Sequence, residues 1–128
     1  MLSFDQLTLD GAQPIYVQII RYIKQGIAAG TIANGEELPS RRAVSALLGV
    51  NPNTVQKAYR MLEEEGLIQS HSGAKSRIVV SEEVQTKVRG QLLRSDAETL
   101  VAAMKQMGVT KEETLSLLEI LWKDGDTQ

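Results

Sequence analysis

The chain has 128 residues, 42% of them apolar, enough for one compact domain or a small domain with an appendage. It has no cysteine, which excludes a disulfide framework and a thiolate metal site. No apolar run is long enough to span a bilayer and the N-terminus lacks the basic start and apolar stretch of a secretory signal, so a soluble, cytoplasmic protein without membrane partners is expected.

Residues 1–13 show no helical period, and Asp10-Gly11 marks a turn. Pro14 then stands where a first helical turn tolerates proline. Ile15, Ile19, Ile23 and Ile27 recur every four residues, with Ile20 beside them. That apolar stripe predicts a helix over 14–29, ended by Gly30. Residues 31–37, with the turn signal Asn34-Gly35, read as a connector with some extended backbone at Thr31-Ile32.

Ser40 is a good N-cap for a second helix, whose apolar face is Val44, Leu47 and Leu48, and Gly49 closes it. Asn51 as N-cap and Pro52 at the first helical position open a third helix, which runs to about Glu65 and stops at Gly66. Leu67–Ser70 and Arg77–Val80 are then two short strand-like runs. The polar loop between them, 71–76, makes this a hairpin.

From Ser81 onward the pattern is helical. Val84, Val88 and Leu92 share one face; Leu100, Val101, Met104 and Met107 form another; Gly108 breaks the run. Ser95 and Glu98 have capping-box spacing, so a break at Ser95 and one helix over 82–107 are both open. Thr110 and Glu113 have the same spacing ahead of a last stripe, Leu115, Leu118, Leu121 and Trp122.

The third helix carries the chemistry. At 100° per residue, Val55, Ala58, Tyr59 and Leu62 fall together on a face suited to packing. Asn53, Gln56, Lys57 and Arg60 fall opposite, on a face with amides, two cations and no acid. Readout of a major groove needs such a face, because amide side chains pair bidentately with adenine edges and Arg or Lys reaches guanine or phosphate. Thr54, on the flank, is placed to reach a phosphate oxygen. The bland alternative is a solvated polar face. Context weighs against it, with a short helix ahead, a turn of helix-turn-helix length and a hairpin where a wing would lie.

The charges follow the same division. The net charge is −2, yet residues 1–80 hold eight Lys or Arg against seven Asp or Glu, and residues 81–128 six against nine. Within 38–62 the chain has Arg41, Arg42, Lys57 and Arg60 and no acid. A local patch of this kind matters more to a polyanion than the global sum.

Other residues suggest little chemistry. His71, the only histidine, lacks a second ligand for a metal and fits better as a hairpin residue near a minor groove. Glu63, Glu64 and Glu65 read as a solvated helix end. No nucleophile–base pair, phosphate-cradling glycine loop or metal set is present, so neither an enzyme nor a cofactor is expected.

Several runs together resemble the GntR family of bacterial regulators. They are Pro14-Ile15-Tyr16 through Gly30, Leu38-Pro39-Ser40-Arg41-Arg42, Val50 to Tyr59, and Leu62-Glu63 to Gly66-Leu67-Ile68. The short C-terminal part, from Thr110-Lys111-Glu112-Glu113 to Trp122, resembles its YtrA-type subfamily. The resemblance implies a mainly α fold with a small β-hairpin: a winged helix-turn-helix over 1–80, then a helical dimerisation region over 81–128. It implies a homodimer on double-stranded, palindromic operator DNA, usually as a repressor. It places DNA contacts at Arg42, at Asn51, Asn53, Thr54 and Gln56, and at the wing tip, Ser72 and Gly73.

Lys57 and Arg60 join this set from their place on the polar face. Arg41 occupies a position that varies in the family and is either a phosphate contact or solvated. The family wing has a second glycine where this chain has Lys75, so its wing tip is expected to differ. For dimerisation the candidates are Leu100, Met104, Met107, Leu115, Leu118, Leu121 and Trp122, with a monomer core as the alternative for the methionines and a monomer core or a partly exposed anchor for the tryptophan. The short tail leaves little room for an effector pocket, and a site between subunits stays open. The competing function is a winged helix that binds protein and not DNA; it would show apolar anchors on the third helix.

Overall fold

The computed structural model describes residues 1–71 and 75–126. In chain order the elements are α1 (Ile15–Ala29), β1 (Glu37–Leu38), α2 (Arg41–Leu48), α3 (Pro52–Glu64), β2 (Ile68–His71), β3 (Lys75–Ile78), α4 (Glu82–Gln106) and α5 (Lys111–Asp126). The chain divides into two units between Leu92 and Leu93, inside α4.

The first unit is built around α1 and α3. Ile19, Ile23 and Ile27 of α1 are buried, as their spacing predicts, against Val55, Ala58, Tyr59 and Leu62 of α3. Val44 of α2 and Val88 of α4 complete the helical part of this core, with Val84 and Leu92 packed at its edge. Helix α1 begins one residue later than expected, because Pro14 has extended backbone (ψ 144°) and stands before the helix as its N-cap.

Two parts of this unit are invisible to periodicity. Leu2 and Phe4 are buried, although residues 1–13 form no helix or strand. The Leu2 amide donates to the Glu37 carbonyl (2.8 Å), the Tyr22 hydroxyl donates to the Ser3 carbonyl (2.8 Å), and Phe4 stacks on Tyr22 with ring centroids 5.4 Å apart. The connector also differs from expectation. Thr31 and Ile32 are not extended; both amides bond the Gly26 carbonyl and finish the C-terminal turn of α1. The extended segment is β1, further on, which makes the hairpin a three-stranded antiparallel sheet of order β1-β3-β2.

Strand β3 begins two residues before the apolar run that suggested it. Its register pairs Ser76 with Leu38 on one side and Ser70 on the other, and Arg77 with Glu37 and Gln69. Ser76 is buried, with its hydroxyl 3.3 Å from that of Ser70. A polar residue thus occupies an inward strand position because a neighbouring hydroxyl satisfies it, which an apolar pattern does not reveal.

Helix α2 exposes Leu47, contrary to expectation, while Val44 is buried and Leu48 half-buried. Eight residues present only a narrow stripe, and Leu47 lies on its far flank. Gly49 ends α2 in the left-handed region (φ 68°) and turns the chain into α3. A Cβ there meets no atom within 4 Å, so the demand for glycine is one of backbone conformation. Gly49→Ala should therefore cost about 1–2 kcal/mol, the penalty of a left-handed L-residue, read as a lower urea midpoint at unchanged slope. An unchanged midpoint would count against this account.

Helix α4 is continuous through Ser95. A cap there would require non-helical backbone, and Glu98 instead lies 3.3 Å from Arg94, one turn back on the same helix. Ser81 caps α4 through the Val84 amide (3.1 Å). The second capping box forms: the Glu113 amide donates to Thr110 Oγ1 (3.1 Å) and the Thr110 amide to Glu113 Oε1 (3.2 Å). In this second unit, Leu100 and Met104 are half-buried, while Met107, Leu115, Leu118, Leu121 and Trp122 are exposed.

Candidate nucleic-acid interface

The helix pair is assembled by local caps. Ser40 Oγ accepts from the Ala43 amide (3.1 Å) at the start of α2, and Asn51 Oδ1 accepts from the Asn53 amide (2.8 Å) at the start of α3. The buried Ser45 hydroxyl donates to the Val50 carbonyl, and the Val50 amide returns a bond to the Ser45 carbonyl (3.1 Å). These bonds close the turn across Gly49. Ser45 was not among the residues expected to matter, since a serine in a helix interior reads as solvated until the turn folds over it.

Tyr59 ties the two helices further apart. Its hydroxyl donates to the Pro39 carbonyl (2.8 Å), just ahead of α2. Burial holds the phenol well above its ordinary range, against the opposing pull of the Arg41 guanidinium, so the hydroxyl stays protonated and remains a donor. The Arg41 guanidinium lies over the Tyr59 ring, 5.2 Å from its centroid. Arg41 is thus neither fully solvated nor free to sweep the surface: its guanidinium rests on the Tyr59 ring of α3, and its buried Nε has no hydrogen-bond partner among the described residues.

With α3 fixed from behind, its opposite face is open. Asn53, Gln56, Lys57 and Arg60 are exposed and Thr54 is half-buried, while Val55, Ala58, Tyr59 and Leu62 are inside. Among the described residues, the Asn53 and Gln56 amide groups bond to no other side chain and Arg42 is exposed without an ion pair. Asn51, by contrast, commits its carbonyl oxygen to the cap. Arg60 Nε lies 3.9 Å from Glu64 Oε1, with both side chains exposed, a weak pair that phosphate would readily displace.

The Lys57 ammonium lies over the Tyr16 ring of α1, 3.9 Å from its centroid. Spacing along α3 places Lys57 on the polar face but does not reveal this contact, which depends on how α1 crosses. Ser72 and Gly73 lie outside the described residues, as does the His71 side chain. The glutamates form a helix end as expected; Glu65 pairs with Lys24 of α1 (2.8 Å). No group of His, Cys, Asp or Glu that could hold a metal occurs among the described residues, and none of their helices is long and apolar enough to cross a membrane.

Helix α5 carries more apolar surface than one stripe. Leu117 and Ile120 are exposed on the side away from Leu115, Leu118 and Trp122. They were missed because a single helical period was sought, and they belong to a second one.

The profile described as "Bacterial regulatory proteins, gntR family" matches residues 15–78, from α1 to the end of β3. The HTH-type transcriptional repressor YtrA of Bacillus subtilis is 34% identical over 113 residues, which are 88% of this chain and 75% of that protein. A GntR family transcriptional regulator from Listeria monocytogenes has the same fold, with a TM-score of 0.76 and 30% identity over 87% of this chain and 97% of the other. The DNA-binding domain of AraR, solved in complex with operator ORX1, superposes with a TM-score of 0.51 and 25% identity over 56% of this chain and 93% of that domain. This winged-helix chain is therefore a transcriptional regulator, not an enzyme, and it belongs to the GntR family.

Proposed function

We propose that the chain is a homodimeric, sequence-specific repressor that binds an operator of two-fold symmetry through residues 1–80 and pairs through residues 81–128. The observation that carries this reading is the open face of α3: Asn53 and Gln56 present unengaged amides beside Arg60, with no acid from 38 to 62. In this reading Asn53 and Gln56 contact base edges, while Arg42, Thr54 and Arg60 contact phosphates. Lys57 contributes as a cation already held by Tyr16; an exposed cation–π contact is worth about 0.5–1 kcal/mol, small enough for phosphate to compete. Arg41, beside Arg42 at the start of α2, is held over the Tyr59 ring. The dimer places two copies of α3 about 34 Å apart, facing successive major grooves. Repression is supported by the relative that is named a repressor, and DNA as partner by the AraR domain solved on an operator.

Selection of bound genomic fragments, followed by a gel-shift salt series on the enriched site, tests the reading. Affinity should fall steeply with salt as each phosphate contact releases about one counterion. Failure to enrich any fragment would favour a protein-binding winged helix instead. Arg42→Ala should weaken operator and unrelated DNA by the same factor and lower the salt slope by roughly one per subunit. A loss confined to one base preference would overturn its assignment to phosphate.

A further inference from the structure

The outer face of the sheet holds a second group of charges. Along β3, Lys75 and Arg77 point outward while Ser76 and Ile78 are buried. The register sets Arg77 between Glu37 of β1 and Gln69 of β2. Lys75 Nζ lies 3.7 Å from Glu37 Oε1, and Arg77 Nη1 donates to the Gly35 carbonyl (3.2 Å). Glu37 therefore stands beside one cation and directly opposite the other.

The pairing is lopsided. The Lys75 side chain is 65% exposed and that of Glu37 only 26%. The carboxylate is anchored on the short β1 strand, whereas the ammonium sits on a long, flexible stem in solvent. At 3.7 Å and this exposure the pair is weak, and a second anion of higher charge density would draw the lysine away.

We propose that Lys75 and Arg77 form a phosphate-binding patch on the wing, and that Glu37 is its built-in counterion, competing with the DNA backbone for Lys75. The inference rests on the proposed DNA-binding function. Its partner is the sugar–phosphate backbone of the duplex that α3 reads. A backbone contact positions the protein and carries no sequence information, so the patch sets how tightly the regulator holds any duplex. Glu37 keeps that general grip low, on operator and bulk DNA by the same factor.

Fluorescence anisotropy with the full-length protein, on its enriched operator and on a scrambled duplex across a salt series, tests this. Lys75→Gln should weaken both duplexes equally, about three- to tenfold, and flatten the salt slope by about one per wing. Lys75→Arg should restore both. Glu37→Gln should tighten both duplexes about threefold, the scale of an exposed ion pair, and this gain should shrink in the Lys75→Gln background. A slope unchanged by Lys75→Gln overturns the patch. An equal gain from Glu37→Gln with and without Lys75 overturns the pairing. If the unaltered protein binds neither duplex, the DNA-binding function itself fails, an outcome separate from the other two.

Discussion

Gln56→Ala and Asn53→Ala should each relax operator choice while leaving the fold intact. A bidentate amide–adenine pair discriminates by about 1–3 kcal/mol, so each change should cost roughly 5- to 150-fold on the preferred site and little on sites already altered at that base pair. Local structure makes the test clean. The α3 cap uses the Asn53 backbone amide and the Asn51 side chain, so removing the Asn53 side chain leaves it in place. Gln56 is exposed on a helix that alanine favours. Competition among operator variants, each changed at one base pair, is the measurement. An unchanged ranking would remove the substituted residue from base readout.

If the chain pairs as proposed, Leu118→Asp combined with Trp122→Asp should convert the dimer into monomers and reduce operator affinity by about 10²- to 10⁴-fold. On the first subunit's DNA the second subunit is bound intramolecularly, and that gain disappears when the link is cut. The physical basis is exposed apolar surface on α5. Trp122 is 76% exposed, and Leu115, Leu117, Ile120 and Leu121 are exposed with it. Burying a large apolar side chain is worth about 1.5–3 kcal/mol, so two carboxylates on this surface should defeat association. Neither residue belongs to the core of the first unit, so residual binding to a single half-site is expected. Sedimentation in solution reads the mass directly, and an unchanged dimer mass would move the interface elsewhere.

The helix pair was legible in the sequence because its signals are local. Ser40, Gly49, Asn51 and Pro52 each act within a few residues, and the inward face of α3 follows from helical geometry alone. Contacts between distant segments were not legible. Phe4 reaches the core by stacking on Tyr22, β1 exists because β3 accepts it, and Arg41 and Lys57 take their positions from aromatic rings on other helices. For the candidate site, position along α3 separated outward from inward residues correctly but did not reveal where a long side chain would rest. Leu115, Leu118, Leu121 and Trp122 read as the last stripe; the exposed surface of α5 extends to Leu117 and Ile120.

The bonds from Tyr59 to Pro39, just ahead of α2, and from Ser45 to Val50, in the turn, brace the helix pair at two separated points, both part-buried. A reading element braced in this way has no cheap swivel. In the proposed dimer on its operator, any misfit between the two grooves and the two protomers would then be absorbed by the duplex, through bending or twisting. Base pairs that no side chain touches would thereby acquire a say in which sites the proposed regulator selects, through their stiffness alone.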